Sequence, residues 1–209
     1  MKIEKNSCDG EKPFGFMAGL AGGIVDRMVD RVWFVGSSEL TAPQIEASYQ
    51  EGVAQLEAHL EGRPYLFGSR PSFGDFGLWG QMYNAWSDPT AGDILKQSAP
   101  HTVAWIERML APQAGGEWET AEALLPTLEP LLERQVGALF LPWSDANARA
   151  LAAGEEEFTC ELDGKTWRQK PQKYHARSLT ALRAKYAEAA SNADLEAILE
   201  RTGCLPWLA

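Results

Sequence analysis

Three histidines, three cysteines and one closely spaced serine–aspartate pair are the groups in this chain that invite a chemical reading. His59, His101 and His175 are far apart, and none falls in H-x-x-x-H or H-E-x-x-H, the spacings that set two imidazoles on one helix face around a metal. His59 is expected on the polar face of its helix and His101 in the first turn of a later one. His175 follows Tyr174 in a basic helix, where a ligand contact competes with a plain surface role. Cys8, Cys160 and Cys204 are widely separated, with no C-x-x-C, which points to neither a disulfide framework nor zinc. Reduced thiols in a cytosolic compartment are the expectation. Cys160 lies in an alternating stretch with no histidine near it in sequence, so a small buried apolar role is expected rather than a nucleophile. Ser72 and Asp75 form an S-x-x-D ahead of an apolar run. That spacing is the signature of a helix capping box, a structural role. No catalytic residue and no metal site is read from these groups.

Charge adds one more candidate. The net charge of −10 argues against general binding of nucleic acid or of an anionic membrane. Between Asp163 and Glu188, however, seven Lys/Arg stand against two Asp/Glu, a local +5 that leaves −15 on the rest. Lys173, His175 and Arg177 are the residues there that would contact an anion such as a carboxylate or phosphate. The alternatives are pairing with the acidic run Glu155-Glu156-Glu157 or simple solvation. Aromatic residues interleaved with this basic stretch are too few for a single-strand nucleic-acid platform. No apolar run reaches the length of a membrane span, and the first residues lack the apolar core of a signal peptide. With 209 residues and 45% hydrophobic content, the chain can bury a sizeable core.

The elements that would position these groups are mostly helical. Residues 1–14 read as a flexible polar segment. Phe16 to Phe34 follows with Met17, Leu20, Ile24, Met28 and Val32 at helical spacing, most secure from Ile24. Thr41-Ala42-Pro43-Gln44 reads as a T-x-x-Q capping box. It opens an amphipathic helix with Ile45, Tyr49, Val53, Leu56 and Leu60 inward and Glu46, Gln50, Glu51, Gln55, Glu57 and His59 outward. Gly62 ends it. The stretch from Ser72 to Trp86 carries large apolar residues nearly all round, so a buried central helix is expected. Gly74, Gly77 and Gly80 would mark close approach of other backbones. A break at Asp88-Pro89 and a short helical turn precede a helix over Ala99–Leu110. Thr120 to Leu141 is helical in pattern, with Pro126 expected to split it, Thr127 to cap the longer piece and Pro142 to end it. A further helix spans Ser144 to Ala153. Asp163-Gly164 between alternating runs predicts a β-hairpin over residues 155–169. Pro171 to Ala190 is a helix with Tyr174, Ser178, Ala181, Leu182 and Tyr186 inward. A last helix is capped by Ser191 or Asn192, with Leu195, Ile198 and Leu199 buried, and the tail Leu205–Leu208 is expected to dock back.

This order, with the run Leu56 to Gly68, the capping stretch Pro71 to Asp75 and Ala104 to Met109, resembles the C-terminal α-helical domain of glutathione S-transferases. The resemblance is best over Ile45 to Leu110. It implies an all-α fold: a glutathione-transferase C-terminal-like helical bundle over residues 15–154. A small appended hairpin and extra C-terminal helices over 155–209 pack on the same body. It implies Ser72 and Asp75 as the structural cap, and Phe16, Met17, Leu20, Tyr83 and Trp86 as walls of a hydrophobic acceptor pocket. Glutathione enters only through the family, as do transferase activity, a bacterial type and a homodimer, whereas the cytoplasmic location also rests on the reduced thiols. In that family the thiol is activated in a thioredoxin-like domain, which no strand–helix–strand pattern here supplies. Two expectations stand. One is the acceptor-pocket part of a transferase; the other is a non-catalytic module for a small ligand or a protein partner.

Overall fold

The computed structural model describes residues 32–189 and 191–209. The expected flexible segment 1–14 and most of the expected helix Phe16–Phe34, including Phe16, Met17 and Leu20, lie outside the described residues. Val32–Val35 form a turn of 3₁₀ helix. Then come α1 (Ala42–Leu60), α2 (Phe73–Ser87), α3 (Pro89–Ser98) and α4 (Pro100–Arg108). A long helical run follows: α5 (Ala121–Leu131), a π-helical segment (Leu132–Phe140) and α6 (Leu141–Ala153). The hairpin β1 (Phe158–Leu162) and β2 (Lys165–Gln169) leads to α7 (Lys173–Ala189), α8 (Ala193–Arg201) and the short α9 (Leu205–Leu208). Among the described residues the fold is thus mostly helical with one two-stranded sheet, as the pattern predicts.

Among the described residues, two apolar cores and a third, small cluster under the hairpin hold it. The larger joins Val53, Leu56 and Leu60 of α1 to Tyr65, Leu66, Leu95, Trp105 and Ile106, with α2 packed on it through Leu78, Trp79, Met82, Tyr83 and Trp86. The smaller gathers Leu141, Leu179, Cys204 and Leu208, so the C-terminal tail does dock back. The hairpin sits on α6 through Phe158, Ala146 and Ala150. Its strands are antiparallel, with Phe158 opposite Gln169 and Leu162 opposite Lys165. Asp163 and Gly164 have φ of 53° and 70°. Two successive positive φ values define the turn type that an Asp-Gly pair tolerates best.

The capping box at Ser72 forms both of its bonds. Asp75, fully buried, also accepts from the Leu66 N–H and the Trp105 indole N–H, each at 2.9 Å. One carboxylate therefore ties together the turn before α2, α2 itself and α4.

Several expectations are corrected. The T-x-x-Q box does not form: Thr41 donates to Gly36 O, and Gln44 Nε2 donates to Thr166 O of the hairpin at 2.8 Å. Tertiary partners have displaced the local cap. His59 and Glu57 are not on a solvated face. His59 is fully buried, and Glu57 turns inward to cap α4 by accepting from the His101 and Thr102 N–H groups at 2.9 and 2.8 Å. Helix α2 is not buried all round: Phe73 and Phe76 are 86% and 50% exposed. A Cβ on Gly77 or Gly80 would meet nothing within 4 Å, and one on Gly74 would meet only side chains. The close backbone approaches lie elsewhere. A Cβ on Gly92 would sit 2.3 Å from Trp86 O, and one on Gly137 2.0 Å from Thr202 O.

Pro126 does not split the long run and Pro142 does not end it. Thr120, not Thr127, caps α5, and the contacts of α5 with α1 hold its turns despite the missing N–H groups. Thr127 instead takes a hydrogen bond with His59. The region of Asp88-Pro89 breaks only to cap and begin the ten-residue α3. On α7 the inward register is Leu179, Arg183 and Tyr186; Tyr174 is 81% exposed and Leu182 faces outward too. Arg183 lays its stem inward and donates to Trp207 O and to Asp145. A long charged side chain thus occupies a place that an apolar pattern denies it. Asn192 caps α8, with its Oδ1 accepting from Asp194 and Leu195 N–H. Leu195, Ile198 and Leu199 on it are half-buried.

Candidate ligand-binding site

Along α1, Ile45, Ser48, Tyr49, Gly52, Val53 and Leu56 recur at helical spacing, and two apolar hollows lie along this face. The first, about 420 Å³ and open to solvent, is bordered by the 3₁₀ turn, α1, the end of the π-helical segment, the start of α6 and the hairpin. Its apolar walls are Val35, Ile45, Tyr49, Leu139, Phe140, Trp143, Leu162 and Trp167. Gln44, Ser48, Gln135 and Gln169 supply its polar points, and among the described residues no charged side chain lines it. The second, about 290 Å³, shares Ser48, Tyr49 and Gln135 and runs on to Val53 and Leu56 of α1 and to Leu78 and Met82 of α2. The first volume falls in the range of small-molecule pockets, which are mostly apolar with a few placed polar groups.

The polar groups are held by their neighbours. Ser48 Oγ donates to Gln135 Oε1 at 3.2 Å, and Gln135 Nε2 donates to Gln55 Oε1 at 3.0 Å. The indoles of Trp143 and Trp167 both donate to Gln169 Oε1, each at 3.1 Å, which fixes two aromatic walls through one acceptor. Tyr49 donates to Ala91 O at 3.0 Å. Burial, helped by the charge of Asp88, pushes its phenol pKa up, so it stays a neutral donor.

Of the residues read from the sequence as pocket walls, Tyr83 and Trp86 stand toward the C-terminal end of α2. They stack in series with Trp79, at centroid distances of 5.2 and 5.7 Å, and are outside the lining of both hollows. Leu78 and Met82, on the neighbouring stripe of the same helix, face the second hollow. Apart from Tyr49, the aromatic walls of the first come from beyond the family-like stretch, which is why the resemblance could not name them. The alternation Phe158, Cys160, Leu162 signalled the hairpin but not what it covers.

The candidate anion contacts lie on the first turns of α7. Lys173 is exposed, the Arg177 guanidinium lies 5.9 Å from the Tyr174 ring centre, and His175 meets Trp143 edge-on at 4.9 Å. Arg168 pairs with Glu157 at 2.5 Å, one of the acidic partners expected for the basic stretch. Cys160 is half-buried and burial pushes its thiol up to about 11; Cys204 is buried and its thiol is raised likewise. Neither favours a thiolate at neutral pH. His101 Nδ1 lies 2.7 Å from Glu57 Oε1. Among the described residues, no group of three or more His, Cys, Asp and Glu is placed to hold a metal. No described helix is long and apolar enough to cross a membrane.

No curated protein and no solved structure matches the chain. The loop before α1 through the end of α4, residues 39–108, matches the family model described as Glutathione S-transferase, C-terminal domain. Over that span, about a third of its length, the chain is similar to the glutathione S-transferase C-terminal domain.

Proposed function

We propose that this protein binds a small, uncharged apolar molecule in the hollow between α1, the π-helical segment and the hairpin. In a transferase this would be the acceptor side of the reaction, with glutathione held by a separate thioredoxin-like domain. The observation that carries the reading is a hollow of about 420 Å³ with aromatic walls, a few fixed polar groups and no charged side chain among its described lining, directly beside the family-matched helix α1. Desolvating an ionised ligand against such walls would be costly, so neutral ligands are favoured. The raised pKa of the half-buried Cys160 and the buried Cys204 supports binding rather than thiol chemistry by the described residues.

The test is a titration with N-phenyl-1-naphthylamine, a neutral probe that fluoresces in apolar surroundings. Saturable one-site binding is expected, and Leu139→Trp should weaken it at least about tenfold by filling the hollow. Phe73→Ser, which removes the most exposed aromatic of α2, should leave it unchanged. Equal loss in both variants, or loss in Phe73→Ser alone, would move binding to the surface and overturn the reading. Added glutathione should bring no conjugation of an electrophilic acceptor above the uncatalysed rate.

A further inference from the structure

We infer that Arg134 is a latch that, together with Gln44, seats the β-hairpin as the movable wall of the hollow, so that releasing this side chain speeds exchange of a bound molecule. The inference rests on the reading of the hollow as a binding site. Two hairpin residues, Leu162 and Trp167, are walls of the hollow. A two-stranded hairpin is marginal by itself, so its position depends on what holds it down.

The two ends of the hairpin are held differently. At the open end, Phe158 is buried against Trp143 and the α6 alanines, and Gln169 accepts from the Trp143 indole of α6. That end is anchored by packing. At the turn end, Leu162 is buried, and the polar ties run to α1 and the π-helical segment. Arg134 reaches Asp163 at 2.5 Å with one nitrogen, and with Nε it holds both Glu51 carboxylate oxygens at 2.9 Å. Gln44 Nε2 donates to Thr166 O at 2.8 Å. Arg134, Glu51 and Asp163 are each about a third exposed. Solvent therefore competes for the bridge, and such a bridge is weak enough to open and salt-sensitive. The anchored end acts as hinge and the turn end as the part that lifts. Glu51 holds the guanidinium in place for Asp163 when the hairpin returns.

Asp163→Asn is the clean variant, because asparagine tolerates the positive φ of this turn and only the charge is removed. Arg134→Gln removes the latch from the other side. Amide exchange of residues 158–169 should speed up in both variants, as it should in wild type at high salt, while the α1 and α4 amides keep their protection. Stopped-flow association and dissociation of N-phenyl-1-naphthylamine should both accelerate about two- to fivefold with little change in affinity. Unchanged hairpin exchange in both variants would overturn the latch outright, with or without a ligand. Faster hairpin exchange with unchanged probe rates would overturn the gating. If wild type binds no probe but the hairpin exchanges faster in the variants, the hollow fails as a binding site, the gating falls with it and the latch stands.

Discussion

At the scale of single residues, buried polar groups do most to define this protein. His59 is fully buried with Nε2 at 2.8 Å from Leu66 O and Nδ1 at 2.8 Å from Thr127 Oγ1. A carbonyl can only accept, so Nε2 carries the proton and Nδ1 accepts from the threonine. Burial pushes the His59 pKa down, against the pull of the Leu66 carbonyl and with the help of Arg63. The unfolded chain therefore binds a proton at His59 more readily than the folded one. Stability contributed by neutral His59 is complete above the unfolded pKa of about 6.5 and falls as pH drops below it. Urea unfolding at pH 7.5 and 5.5 should show this loss, and His59→Gln should flatten the difference. Glu57 acts lower on the scale. Burial alone would raise its carboxyl, but the His101 and Thr102 donors outweigh this and hold it below the ordinary value, so its contribution is lost only as the solution becomes more acid. Asp75→Ala should be the costliest of these substitutions. It strands the buried Leu66 N–H and Trp105 indole N–H, and removes half of the capping box, for a loss of at least about 3 kcal/mol by denaturant titration.

At the scale of elements, the contrast between glycines is the sharpest test of the packing. Gly77 lies mid-helix with open space beside it, so Gly77→Ala should stabilise by about 1 kcal/mol through helix propensity alone. Gly137 lies where the long helical run crosses the end of α8, and Gly137→Ala should destabilise by about 1–3 kcal/mol because a backbone carbonyl blocks the new methyl. Thermal melts of the two variants should move in opposite directions. Sequence spacing led to the opposite expectation for Gly77, because a run of apolar residues does not reveal which face the core reaches. Signals that are local were legible. The S-x-x-D box, the Asp-Gly turn, the Asn192 cap and the α1 stripe are each written within a few residues. Signals that depend on distant partners were not. Gln44 serves the hairpin 122 residues later rather than its own helix, and His59 is paired with Thr127, 68 residues away. Pro126 and Pro142 read as breaks because the contacts of α5 and the π-helical turns are invisible in the local pattern.

At the scale of the whole molecule, a family-like helical segment supplies one wall of the hollow and the later residues supply the others. The family-matched residues reach only to 108, whereas Leu139, Phe140, Trp143, Leu162 and Trp167 all lie beyond. The resemblance therefore made the fold legible but could not reveal the lining of the hollow. Local periodicity could not reveal it either, since the lining is assembled from the 3₁₀ turn, α1, the π-helical segment, α6 and the hairpin. The most direct test of the binding reading is the equilibrium titration of wild type and Leu139→Trp with N-phenyl-1-naphthylamine. The account predicts saturable one-site binding by wild type and at least about tenfold weaker binding by the variant. Equal affinity in two equally stable proteins, or no saturable binding by wild type, would contradict it.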